Sequence, residues 1–300
     1  MTLSFDSPQD DAAARAHIEQ FAASAQRIET RSDAGAMVWH RWGEGPPLVL
    51  LHGGSGSWTH WIHTIPRFMG RRAVFVADLP GLGDSPDPPK PYTADSLAEI
   101  VASGLDQLID ANTAVDLVGF SFGGIVAGHL AANYAERVRR LVIVGSPPFG
   151  LGSDGPANEV RAVDPTLDFD AAREQHRYNL ELFMMADPRH VDPLALRIHH
   201  DNLCRSRLGS RKIARTGTLE EALARVTCPL YGIWGEQDVT AFPDLASIRE
   251  LFIGTHTGPD SAGRRAQAFD VLPGVGHWAA YDGADEFNRL LEQRLEETPS

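Results

Sequence analysis

Short apolar runs separated by amphipathic stretches set the pattern of this chain. Residues 47–51 (Pro-Leu-Val-Leu-Leu) and 73–77 (Ala-Val-Phe-Val-Ala) are apolar without alternation. Runs of that length suit strands covered on both faces. Residues 115–118, 140–145, 229–234 and 268–272 repeat the pattern, and residues 37–42 (Met-Val-Trp-His-Arg-Trp) make a further plausible strand. Between them, residues 97–109 and 125–134 carry helical periodicity. Residues 284–295 predict a last helix. Residues 9–28 predict a first one, with Ile18, Phe21, Ala22 and Ala25 on one face. That face packs on the domain or begins a contact with a second copy, and both readings stay open. Strands alternating with helices predict an α/β fold, a parallel sheet with helices on both faces.

The alternation stops at Pro147. From there to about Val226 the chain is helical and polar, and Pro188 and Pro193 break it into short pieces. The expected organisation is a core over residues 1–146, a helical cap over 147–226 inserted at the sheet's carboxyl edge, and the rest of the core over 227–300.

Bulk numbers narrow the function. The 300 residues carry a formal charge of −13, which argues against nucleic acid and anionic membrane as partners. Two cysteines, Cys204 and Cys228, read as thiols rather than a disulfide. The first residues lack the basic end and apolar run of a signal peptide, and no stretch has the length and apolarity of a membrane span. The expected place is the cytoplasm.

The chemistry centres on Gly119-Phe120-Ser121-Phe122-Gly123, between a strand and a helix. Such a segment can be only a turn. It is also the context that lifts a serine hydroxyl off a sheet and aims the first amides of the helix at what it attacks. A serine hydroxyl is a weak nucleophile, so it needs a base, and the base needs an orienting acid. After the 229–234 strand stands Gly235-Glu236-Gln237-Asp238. Asp238 is the candidate acid, with Glu236 second; a helix cap is the plain alternative. After the 268–272 strand stands Gly276-His277-Trp278, and His277 is the candidate base. A pocket for a developing oxyanion would use the amide of Phe122 and one from His52-Gly53-Gly54-Ser55-Gly56. Gly54 is the favoured donor, with Gly53 and Ser55 as alternatives. That loop lacks the Lys-Ser/Thr of a phosphate loop, and Thr59 stands where a dinucleotide fingerprint requires Gly or Ala. No carboxylate or cysteine completes a ligand set around His52, His60 and His63. No metal or cofactor is expected.

Taken together, H-G-G-S-G-S-W, D-L-P-G-L-G-D-S, G-F-S-F-G-G, W-G-E-Q-D and G-V-G-H-W resemble the motifs of the α/β-hydrolase superfamily, across nearly the whole core. The resemblance implies a mostly parallel eight-stranded sheet with a helical cap after the sixth strand. It implies Ser121 as nucleophile, Asp238 as acid and His277 as base. Serine argues against the dehalogenase and epoxide hydrolase branches, which attack through a carboxylate. The core is similar to meta-cleavage product hydrolases and small-molecule esterases. The expected substrate is a small, partly apolar carbonyl compound, a carboxylic ester or the C–C bond of a ring-fission-type diketone. A non-catalytic or very slow ligand-binding protein on the same fold is the alternative. Trp58, Trp61, Trp278, Phe120 and Phe183-Met184-Met185 are candidates to line the site. Arg197, Arg205 and Arg207 are candidates to meet a substrate carboxylate. Asp238 and His277 lie 277 − 238 = 39 positions apart, and residues 254–265 read as an extra polar loop between them.

Overall fold

The apolar runs assemble into one sheet of eight strands. The computed structural model describes residues 8–152, 159–164, 166–254 and 267–297. The first half contains α1 (Pro8–Ala23), β1 (Gln26–Ser32), β2 (Gly35–Trp42), β3 (Pro47–Leu51), a 3-10 turn (Trp58–Trp61), α2 (Ile65–Phe68), β4 (Ala73–Asp78), α3 (Ala94–Leu108), β5 (Val115–Phe120), α4 (Phe122–Asn133) and β6 (Val138–Val144). The second half contains α5 (Phe169–Phe183), α6 (Pro193–Cys204), α7 (Ser210–Ala214), α8 (Thr218–Leu223), β7 (Leu230–Gly235), α9 (Leu245–Gly254), β8 (Ala268–Leu272), α10 (Ala279–Asp282) and α11 (Ala284–Glu296). The spatial order is β1-β2-β4-β3-β5-β6-β7-β8. β2 pairs antiparallel with β1 and β4, and all other pairings are parallel.

Period-two alternation splits the apolar runs between two cores. Val49 and Leu51 of β3 join Leu117, Leu97, Val101 and Ile125 under α3 and α4. Leu48 and Leu50 join Val118, Trp61, Phe68 and Leu291 on the other face. This is why β3 is apolar throughout: both faces are covered. Each such side chain contributes ~1.5–3 kcal/mol of burial. Together they hold the carboxyl ends of β3 and β5 side by side, where the candidate site stands.

The first helix is shorter than its pattern suggests. α1 ends at Ala23, and residues 26–32, Ile28 among them, form the edge strand β1. α1 lies against α6. Its Phe21 stacks on Trp42 and Trp58, with ring centroids 5.3 and 6.0 Å away. Between β6 and β7 the described residues form α5 to α8 and no strand. Residues 255–265 of the expected extra loop lie outside the described residues. Among the described residues no helix is long and apolar enough to cross a membrane.

Candidate active site

β5 stops at Phe120, and α4 starts at Phe122. Ser121 between them has φ 51° and ψ −118°. Positive φ strains a residue with a side chain, so something must hold it there. The Ser121 amide donates to Val144 O at 2.8 Å, and the Ser121 carbonyl accepts from Ser146 Oγ at 2.6 Å. The flanking glycines have no room for more. A Cβ on Gly119 would lie 2.5 Å from Gly123 O, and one on Gly123 would lie 2.4 Å from Leu51 O and His52 O.

The loops after β7 and β8 bring two further candidates to this serine. His277 Nε2 lies 3.0 Å from Ser121 Oγ. His277 Nδ1 lies 2.9 and 3.0 Å from the two oxygens of Asp238. A carboxylate accepts, so Nδ1 carries the proton and Nε2 is left bare toward the serine hydroxyl. The Asp238 side chain is wholly buried. Its Oδ1 also accepts from Thr240 N at 2.8 Å and Thr240 Oγ1 at 2.7 Å. Glu236, the second candidate acid, is exposed and accepts from the Gly274 amide at 2.9 Å.

The loop after β3 is fixed by two buried histidines. Leu79 N donates to His52 Nε2 at 2.9 Å, so His52 Nδ1–H donates to Gly53 O at 2.8 Å. The Gly53 amide donates to His60 Nδ1 at 3.3 Å. Burial lowers the pKa of both rings, which keeps them neutral for these roles. With Gly53 N–H occupied, Gly54 N–H and Phe122 N–H have no acceptor among the described residues. Gly54 lies beside Phe122: a Cβ on it would be 3.7 Å from Phe122 Cβ. α4 has no side-chain cap, so its amino end offers bare amides and the positive end of its dipole at the same place.

The motif after β4 underpins this loop. Asp78 Oδ1 accepts from Trp58 N at 2.8 Å, and Oδ2 accepts from Asp84 N at 2.9 Å. Burial alone would raise the Asp78 pKa, but His40, His52 and the Asp84 amide lower it on balance. His40, Asp78 and Asp84 also have the spacing of metal ligands. Their fit is poor: Asp78 is engaged by two amides, and Asp84 pairs with Arg205 at 3.3 Å.

Ser121 and His277 open into a cavity of about 680 Å³. Phe120, Phe122, Phe183 and Met184 line it. Trp58, Trp61, Trp278 and Met185 do not; they are core residues. The three arginines considered for a substrate carboxylate are engaged elsewhere. Arg197 pairs with Asp11 and Asp201, Arg205 with Asp84, and Arg207 with Asp87. Arg161 and Arg211 line the cavity instead. No local sequence signature marks Asp282. It accepts from Gly276 N at 2.6 Å and Ala186 N at 2.9 Å, so it ties the His277 loop to the helical segment.

The chain belongs to the α/β-hydrolase family. The model of the alpha/beta hydrolase fold matches residues 46–193. A pimeloyl-[acyl-carrier protein] methyl ester esterase from Chromobacterium violaceum is 31% identical over 85% of this chain and 96% of its own length. The corresponding esterase of Vibrio campbellii is 34% identical over 49% of this chain, which spans only 54% of that relative. A 2-hydroxymuconate semialdehyde hydrolase from a Pseudomonas species is 39% identical over 48% of this chain and 50% of its own length. Among solved structures, a meta-cleavage product hydrolase from Pseudomonas fluorescens shares the fold with a TM-score of 0.68. It is 23% identical and is covered over 96% of its length, against 89% of this chain.

Proposed function

We propose that this chain is a serine hydrolase acting on a small, partly apolar carbonyl compound, foremost a carboxylic ester. One observation carries the reading: Ser121, His277 and Asp238 stand in a continuous hydrogen-bonded row, 3.0 and 2.9 Å apart, beside two unpartnered amides. Ser121 Oγ attacks the carbonyl carbon as its proton passes to His277 Nε2. Asp238 stabilises the imidazolium. The amides of Gly54 and Phe122 bind the oxyanion. His277 then returns the proton to the leaving group. Water, deprotonated by His277, attacks the acyl-enzyme and restores Ser121. Helices α5, α6 and α7, which lie within the expected cap and line the cavity, cover the acyl group.

Cleavage of a C–C bond between two carbonyls is the second reading. It is favoured by similarity to the 2-hydroxymuconate semialdehyde hydrolase. The same nucleophile would attack, with a carbanion equivalent as leaving group.

The test is a fluorophosphonate probe with adduct mapping, run beside a panel of p-nitrophenyl esters and a ring-fission dienone. Labelling at Ser121 is expected, with ester turnover falling at least ~10³-fold in Ser121→Ala and His277→Ala. Turnover of the dienone above the esters would select the second reading. Folded protein that resists the probe would leave only a ligand-binding role.

A further inference from the structure

The cavity wall opposite the core carries three histidines that the mechanism above does not use. His176 sits in the middle of α5, fully buried, and His199 and His200 sit side by side on α6. His176 Nδ1 lies 2.9 Å from His199 Nδ1, and His176 Nε2 lies 3.0 Å from His200 Nδ1. His200 Nε2 continues the row to Cys204 Sγ at 3.7 Å. The rings meet edge-on, at 82° and 89°. All four residues line the same cavity as Ser121.

Proton counting decides what this row can do. Burial lowers all three pKa values, to about 4 for His176 and about 3 for His199. Each ring is therefore neutral near pH 7, with one N–H and one bare nitrogen. A nitrogen-to-nitrogen hydrogen bond needs one of each. Only two arrangements satisfy both contacts at His176. In the first, His200 Nδ1–H donates to His176 Nε2, His176 Nδ1–H donates to His199 Nδ1, and His199 Nε2–H is a donor. In the second, His199 Nδ1–H donates to His176 Nδ1, His176 Nε2–H donates to His200 Nδ1, and His199 Nε2 is an acceptor. Each ring keeps one proton, so neither arrangement carries charge. His199 Nε2 has no hydrogen-bond partner among the described residues and is accessible to solvent, and His199 is part of the cavity lining. Asn179 on the same wall is already spent: it accepts from Arg161 N at 2.8 Å and donates to Arg161 O at 2.9 Å.

We propose that His199, coupled through His176 to His200, is a specificity site for an uncharged oxygen function, a carbonyl or hydroxyl, placed on the substrate away from the scissile carbonyl. The coupled row answers either group: His199 Nε2 donates to a carbonyl in one arrangement and accepts from a hydroxyl in the other. An isolated, water-exposed imidazole would offer no such preference, because water competes for it. This inference rests on the hydrolase reading, since it concerns the second end of that substrate.

The test compares three activated esters: p-nitrophenyl hexanoate, its ketone analogue with an oxo group one carbon from the chain end, and the p-nitrophenyl half-ester of adipate. The ketone is expected to exceed the plain ester about tenfold in kcat/KM, roughly one cavity hydrogen bond. His199→Phe and His176→Phe are expected to bring that ratio close to one. In the unsubstituted protein, imidazole nitrogen resonances supply a second measurement. The keto acid product should move the signals of His199, His176 and His200 together, and hexanoate should not. A ratio near one in an enzyme that hydrolyses the plain ester would overturn the proposal. So would preference for the adipate half-ester, which would assign the wall to Arg161 and Arg211, or a response confined to one ring. If no ester is hydrolysed and Ser121 resists the probe, the hydrolase reading fails by itself, and the resonances still decide the histidine row.

Discussion

Gly145 stands where a single methyl group would press on the candidate acid. Its φ is +52°, and a Cβ there would lie 2.9 Å from Asp238 Oδ2 and 3.3 Å from His277 Nδ1. Alanine would meet both the backbone strain, ~1–2 kcal/mol, and the contact. The acid can yield only by leaving Thr240 or His277. Gly145→Ala is therefore expected to lower kcat by tenfold or more, with a melting temperature lower by roughly 2–8 °C. Gly70→Ala is the control: a Cβ there has nothing within 4 Å. Ester turnover and thermal unfolding measured together decide it; an unchanged kcat in Gly145→Ala would mean that Asp238 does not set the rate. At this scale the chain reads well where a role has a local signature. Ser121 sits between glycines at a strand end, and His277 sits between Gly and Trp after the last strand. Thr240, Ser146, Asp282 and the proton placement of His52 have no such signature. Thr240 Oγ1 lies 3.1 Å from His277 Nδ1, 37 positions on, and the partners of the other three are 25, 96 and 27 positions away, so only the folded chain makes them neighbours.

At the scale of elements, α1 acts as a clamp on the helical segment. Asp11 on α1 receives both Nε and Nη2 of Arg197 on α6, at 2.7 and 2.9 Å. The Arg197 guanidinium also lies 3.9 Å over the Phe169 ring of α5 and meets Asp201 at 3.0 Å. Arg197 is only 3% exposed. Removing Asp11 would leave a buried cation with half its compensation, which destabilises more than losing the whole pair. Asp11→Ala is expected to cost roughly 1–3 kcal/mol, and adding Arg197→Met is expected to recover part of it. Urea denaturation of the two variants checks this; a double variant less stable than Asp11→Ala would contradict it. The sequence pattern marks α1 as amphipathic but extends it into β1. The reason is that Gln26–Ser32 is an edge strand with one buried residue, Thr30, so neither period dominates. The central strands, buried on both faces, are unmistakable for the opposite reason. The way α5 and α6 bring His176 to His199 and His200 is equally hidden. Helical spacing alone does not say which helix faces which.

For the whole molecule, the buried histidines set how stability responds to acid. Burial lowers the pKa of His52, His60, His63, His176, His199 and His200 in the folded state. In the unfolded chain each takes up a proton near pH 6.5. In the folded chain His176 does so only at about 4 and His199 at about 3. Between those limits the unfolded state binds more protons, so stability is fully present above pH 6.5 and is lost as pH falls below it. Each proton withheld by a fully buried ring removes up to roughly 1.4 kcal/mol per pH unit, and the partly exposed His63, His199 and His200 contribute less because water screens them. Several acting together remove a large part of a typical stability of ~5–15 kcal/mol. A second effect runs the other way. The formal charge of −13 shrinks as pH approaches the isoelectric point of about 5.3, which relieves self-repulsion. That repulsion acts between exposed charges and is screened beyond about 8 Å at physiological salt, whereas the histidine cost is paid inside the protein. The histidines therefore dominate, and the urea midpoint is expected to fall steadily from about pH 7 to about pH 5 at constant ionic strength. His176→Gln, which cannot take up a proton, should flatten that slope, whatever it does to the midpoint at neutral pH. A midpoint that holds or rises toward pH 5 would mean that relief of self-repulsion outweighs the histidine cost; a slope that His176→Gln leaves unchanged would mean that the His176 ring is protonated in the folded protein, and the two neutral arrangements of the cavity row would no longer exist.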